Sequence, residues 1–120
     1  MIAELALLLF LLLAAHALCD FALQPAHVST AKRPGGNASV PWLLAIGGHS
    51  LIHGGAVALL VLPYVGAADA LALGIAETSL HAAIDISRCH RIIGTKTDQA
   101  AHVACKLLWV WIIAGSGALP

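Results

Sequence analysis

Histidines and carboxylates recur four residues apart in this 120-residue chain, the interval that stacks side chains about 6 Å apart on one helix face. His16, Asp20 and Gln24 form one set, and His49 and His53 a second. Glu77, His81 and Asp85, followed by Arg88, form a third, and Asp98 and His102 a fourth. Imidazole and carboxylate without thiolate suit Zn²⁺, Mn²⁺ or Fe²⁺, and His-x3-His on a helix is itself a chelating spacing. The expected ligands are His49, His53, His81, His102 and His16, with zinc expected first and manganese or iron as alternatives. Asp85 and Asp20 are the candidates for a further ligand or a catalytic base. Glu77, Gln24, Asp98 and Lys32 are expected around them, where hydrogen bonds from neighbouring groups orient metal-bound imidazoles.

The same residue types have other readings. Chains of histidine and acid inside a membrane also mark ion and proton pathways, and Glu77, the deepest of the acids, favours that reading. A small structural or interaction subunit would use the network only to set helix register. A bis-histidine haem is the weakest reading, because carboxylates beside the histidines suit a porphyrin poorly. His27 and His90 fall in or beside loops and are expected at the surface. Cys19, Cys89 and Cys105 are odd in number and show no Cys-x-x-Cys spacing, so they read as small apolar packing residues. Cys105 alone shares a face with His102.

Helices must carry these sets, and composition says in what solvent. The residues are 60% hydrophobic and 10% charged, with a mean hydropathy of +0.91, whereas a soluble domain carries about a quarter charged residues. A membrane span needs about 20 apolar residues, and four stretches qualify, near 2–24, 42–63, 68–92 and 98–117. The expectation is a single all-α domain over residues 1–120, a polytopic membrane protein built as a four-transmembrane-helix bundle. Pro34, Gly35, Gly36 and Asn37 break the chain after the first span, Pro63 to Ala67 after the second, and Gly94 to Thr97 after the third, where Thr97 or Asp98 can cap. Net charge is zero, so no basic field draws nucleic acid; the lipid bilayer is the expected partner.

Lys32 and Arg33 lie in the first loop and Arg88, Arg91 and Lys96 around the third. The excess of basic residues in cytoplasmic loops then puts both ends of the chain outside the cytoplasm of a bacterial inner membrane. That direction gathers all four polar sets at the cytoplasmic end, with Glu77 nearer the middle. Lys106, inside the fourth span, either snorkels or pairs with a carboxylate. Each ionised residue near the bilayer centre costs about 2.5–3.5 kcal/mol, so Asp20, Glu77 and Asp85 need pairing, protonation, water or a bound cation. Gly47, Gly48, Gly54 and Gly55 form small-residue stripes that let helices approach. Glu4 stands where a signal peptide carries basic residues, which argues against cleavage at Ala15-His16-Ala17. The sequon Asn37-Ala38-Ser39 falls in a loop assigned to the cytoplasm and reads as chance.

With these residues in view, the chain resembles the small bacterial and phage membrane proteins grouped as the domain of unknown function 3307. The resemblance rests on His16-x3-Asp20-Phe21-x-Leu23-Gln24 with Lys32 eight residues on, His49 or His53, His81-x3-Asp85, and Asp98-Gln99-x2-His102. The loop after Gln24 lacks an aromatic residue expected there. The resemblance implies a polytopic membrane protein and supplies no reaction. The residues themselves lead to the expectation of a metal-dependent hydrolase at the cytoplasmic membrane interface, acting on a lipid head group or a membrane peptide.

Overall fold

The computed structural model describes residues 1–36 and 39–117. Asn37 and Ala38 of the sequon, and Pro120 at the end, lie outside them. Among the described residues every regular element is helical: α1 (Ile2–Ala17), a π-helical turn (Leu18–Ala22), the short α2 (Ala26–Ala31), α3 (Trp42–Cys89) and α4 (Thr95–Gly115).

α3 is two helices joined at a reversal. The helix runs on through Pro63 and breaks at Gly66, whose φ of 77° and ψ of 173° no L residue adopts cheaply. Beyond it the chain folds back, because Gly54 lies against Thr78 and Gly74 lies against Ala58. The same antiparallel logic pairs His16 with His53, His81 with His102 and Arg88 with Thr95. The four long helical segments therefore alternate in direction and form a four-helix bundle. Arg91, at φ 60°, ends α3 in the left-handed conformation while Ile92 N–H donates to Ser87 O at 2.9 Å, a common helix stop.

The structure departs from the sequence expectation at several places besides the run of the second span to Gly66 and the end of the third at Cys89 rather than 92. The first helix does not stay α-helical to Gln24: at Leu18 it widens by one residue, and Leu23 N–H donates to Leu18 O at 3.0 Å. The first loop contains α2, too short to show a hydrophobic period, and α2 turns Lys32 into the bundle, where it is buried. α4 starts at Thr95 with Gly94 as its cap position. Neither Thr97 nor Asp98 caps it, because Asp98 is buried one turn inside.

Polarity is inverted relative to a water-soluble bundle. Leu7, Phe10, Leu43, Leu51, Leu59, Leu71 and Trp111 are exposed, while five histidines, Glu77, Asp85, Asp98, Lys32 and Lys106 are buried. The interior has two ends. Leu8, Leu12, Val57, Val61, Ala70, Trp109 and Ile113 form an apolar cluster, and the polar groups fill the rest. Two helical stretches, Ile2–Ala22 and Trp42–Cys89, are long and apolar enough to cross a membrane.

Of the four glycines expected to mediate close approach, only Gly54 does. A Cβ there would overlap Thr78 Oγ1 and Gly74 O, whereas Gly47, Gly48 and Gly55 face open space. Its partner is Gly74, where a Cβ would sit 2.9 Å from both Ala58 Cβ and Gly54 O. Gly54→Ala should therefore lower the melting temperature in detergent, at a cost of about 1–3 kcal/mol for forced overpacking. Gly47→Ala and Gly55→Ala should be neutral or stabilising by up to about 1 kcal/mol; equal losses at all three positions would refute the assignment.

Candidate metal centre

Each helix delivers its polar residues because their four-residue spacing keeps them on the inward stripe. The π turn adds a correction to that stripe. Its extra residue aims the partly buried Asp20 across the bundle, and the Asp20 carbonyl takes a hydrogen bond from Gln24 Nε2 at 3.0 Å. π turns of this kind recur at functional sites.

The five inward histidines form one cluster. His53 and His81 stack with ring centroids 3.6 Å apart, His81 and His102 follow at 4.3 Å, His16 stands 4.8 Å from His102, and His49 is 4.7 Å from His53. Asp20 serves two sides. Its Oδ1 is 3.1 Å from His53 Nε2 and 3.3 Å from His49 Nε2, and its Oδ2 is 3.3 Å from His16 Nε2. Asp85 Oδ2 is ion-paired with Lys32 and lies 3.7 Å from His81 Nε2, and its Oδ1 is 3.8 Å from His102 Nε2. Asp98 Oδ1 is 3.7 Å from His102 Nε2.

These separations are informative about ligands. Donors held at about 2.0–2.1 Å around a tetrahedral zinc lie roughly 3.3 Å from one another, which is the spacing of Asp20 Oδ1 from His49 and His53. Asp20, His49, His53 and His81 each offer one donor atom within 4.8 Å of the others; His16, His81 and His102 form a second such group, and Asp85, Asp98 and His102 a third. Apart from the Nε2 atoms of His16, His49 and His53 that face Asp20, five buried imidazole nitrogens, Nδ1 of His16 and both nitrogens of His81 and His102, have no hydrogen-bond partner. Buried polar atoms are nearly always satisfied, so a cluster of unsatisfied nitrogens aimed inward suits a cation.

The predicted orienting groups divide. Lys32 pairs with Asp85, and Asp98 reaches His102. Gln24 binds a backbone carbonyl, not a ligand side chain, because the π turn frees that carbonyl. Glu77 lies 4.0 Å from His81 Nδ1 but is held chiefly by Lys106 and by Trp109, whose Nε1 donates to Glu77 Oε2 at 2.6 Å. Lys106 therefore pairs rather than snorkels. Trp109 was not singled out, since a tryptophan in an apolar run carries no sign of what its N–H meets. Gln99 binds Asp98 Oδ2 at 3.0 Å and reaches Asp20 Oδ2 at 3.4 Å; its place in the Asp98-Gln99-x2-His102 motif was the available clue. Cys105 packs against the apolar cluster, and His27 and His90 are exposed.

Fold and site together define an all-helical bundle with an apolar outer surface and a buried histidine–carboxylate centre. The chain belongs to the family described as protein of unknown function (DUF3307), whose model matches residues 8–116 and so spans every residue of the centre. No curated protein and no solved structure matches the chain.

The Glu77–Lys106 pair can be tested alone. Both side chains are only 1% exposed, and removing one partner of a buried pair costs about 3–5 kcal/mol because the other charge is stranded. Glu77→Gln and Lys106→Met should each lower the melting temperature sharply, while the double variant should lose less than either. Additive losses would show that the two charges are not coupled.

Proposed function

We propose that the chain spans the bacterial inner membrane four times and binds a divalent transition metal, zinc first, in its buried centre, as a metal-dependent hydrolase acting at the cytoplasmic interface. The observation that carries the metal is the gathering of five buried histidines around Asp20 and Asp85, with Nδ1 of His16 and both nitrogens of His81 and His102 left without a hydrogen-bond partner. The set Asp20, His49, His53 and His81 is the preferred ligand group, being the one with four donors; His16 and His102 border it.

The membrane reading is supported by the apolar outer faces and the buried charges. α3 folded at Gly66 supplies two segments, each longer than the ~20 residues a span needs. α4 is less apolar because Asp98, Gln99, His102 and Lys106 interrupt it, yet Asp98, His102 and Lys106 are buried inside the bundle and cost the lipid-facing surface nothing. The basic loops put the centre on the cytoplasmic side.

A metal in this position supplies Lewis acidity, which makes water a nucleophile at neutral pH. The chain supplies the proton acceptor and its positioning. Asp85 Oδ1 is the oxygen not engaged by Lys32, and it is the candidate base; Lys32 fixes the orientation of the carboxylate. The substrate would be a lipid head group or a membrane peptide meeting the centre at the interface. A transport or proton-relay role has less support. Beyond Glu77 and Lys106, the described interior closes into the apolar cluster around Leu12, Val61 and Ile113, which offers a proton no route.

Protein purified in mild detergent should contain metal by mass spectrometry. His49→Ala, His53→Ala or His81→Ala should lower metal content and melting temperature together, as should chelation, since metal binding is coupled to folding. His27→Ala and His90→Ala should change neither. Failure to hold or rebind Zn²⁺, Mn²⁺ or Fe²⁺ would remove the hydrolase reading and leave a relay or structural network. Topology has its own measurement: an alkaline-phosphatase fusion at the C-terminal end should be active, and one in the 32–36 loop inactive.

A further inference from the structure

A cavity of about 840 Å³ lies between α2, the end of α3 and the start of α4, with Asp20, Asp85 and Asp98 among its lining residues. Arg33, Arg88 and Arg91 also line it. Among the described residues none of these three guanidiniums is paired with a carboxylate; the available acids are taken up by Lys32 and the histidines. Arg88 Nη2 donates to Thr95 Oγ1 at 2.7 Å, which leaves its other donors free, since a guanidinium carries five. The cavity thus carries both signs of charge, with three carboxylates that also face the imidazoles, one of them paired with Lys32, and three arginines free of carboxylates.

Topology alone does not account for this arrangement. Cytoplasmic basic residues orient a membrane protein wherever they sit near a loop, yet three arginines line one cavity while Lys96, in the first turn of α4, does not. Arg91 holds φ 60°, a helix-ending position where glycine is favoured, so its side chain rather than its backbone suits the site. Three guanidiniums lining one cavity offer the planar donor forks with which arginine binds phosphate oxygens in bidentate fashion.

We infer that this vestibule recognises a phosphate monoester, with Arg33, Arg88 and Arg91 holding the terminal phosphoryl oxygens and the ester bond directed at the histidine–aspartate centre. The inference rests on the hydrolase reading for its chemistry, though not for the anion binding. Hydrolysis forms a P–O bond from water and breaks the P–O bond to the ester oxygen. One water proton passes to Asp85, and the departing alkoxide takes a proton back from it. The phosphate group is common to a lipid head group and to a soluble phosphate ester.

The test uses the full chain in phosphatidylcholine nanodiscs, with metal content measured on each sample. Inorganic phosphate and glycerol phosphate are titrated calorimetrically for the soluble source; for the lipid source, melting temperature is compared between phosphatidylcholine and phosphatidic-acid nanodiscs. Binding in either arm, weakened about tenfold or more by Arg33→Gln/Arg91→Gln without loss of metal or thermal stability, supports the inference. Both residues are exposed, so the variant should fold. Metal bound with no phosphate response in either arm, or an unchanged response in the variant, overturns the inference and leaves the metal reading standing. Phosphate bound through the arginines in a protein that holds no metal keeps the recognition and removes the hydrolysis.

Discussion

Charge enclosed in an apolar shell must be matched inside that shell, and the bundle is organised around this constraint. Glu77, Asp85, Lys32 and Lys106 are all buried, and an unpaired buried charge costs more than most single contacts return. Lys106 and Trp109 answer Glu77, and Lys32 answers Asp85. Asp20 faces three imidazoles. What stays unmatched is Nδ1 of His16 and both ring nitrogens of His81 and His102, and that unmet hydrogen bonding is the strongest physical pointer to a cation.

Backbone devices bring the groups within range. Gly66 reverses α3 so that two halves of one helix present His49, His53, His81 and Asp85 to one another. Gly54 and Gly74 then let those halves approach with backbone nearly in contact. The π turn rotates Asp20 across the bundle, and α2 carries Lys32 back to Asp85. Gly66 and the π turn cost local helical regularity, and all of these devices serve the same end, closing the polar centre against the surrounding apolar faces.

The interior also has a direction. An apolar cluster occupies one end, the Glu77–Lys106 pair lies between, and at the other the histidine centre borders the arginine-lined cavity through Asp20, Asp85 and Asp98. With the apolar cluster of the described residues closing the far end, the centre suits a reactant that enters and leaves by the same face better than one that passes through. Arg33, Arg88 and Arg91 line the cavity together with Asp20, Asp85 and Asp98, and the imidazoles lie buried behind the carboxylates.

Helix content, the four long segments and the inward stripe were legible in the sequence, because four-residue spacing on an apolar background has few other structural meanings. The five histidines, Asp20 and Asp85 could be picked out on that ground alone, as could the surface placement of His27 and His90. Tertiary structure decided what depends on partners distant in the chain. That Gly54 rather than Gly47, Gly48 or Gly55 makes the close approach follows from which face meets Gly74. That Lys106 pairs with Glu77, that Trp109 shares that carboxylate, and that Gln24 serves a backbone carbonyl all depend on helix rotation and on one extra residue in a π turn. Spacing along a helix fixes which side chains share a face; only packing between helices fixes what that face meets.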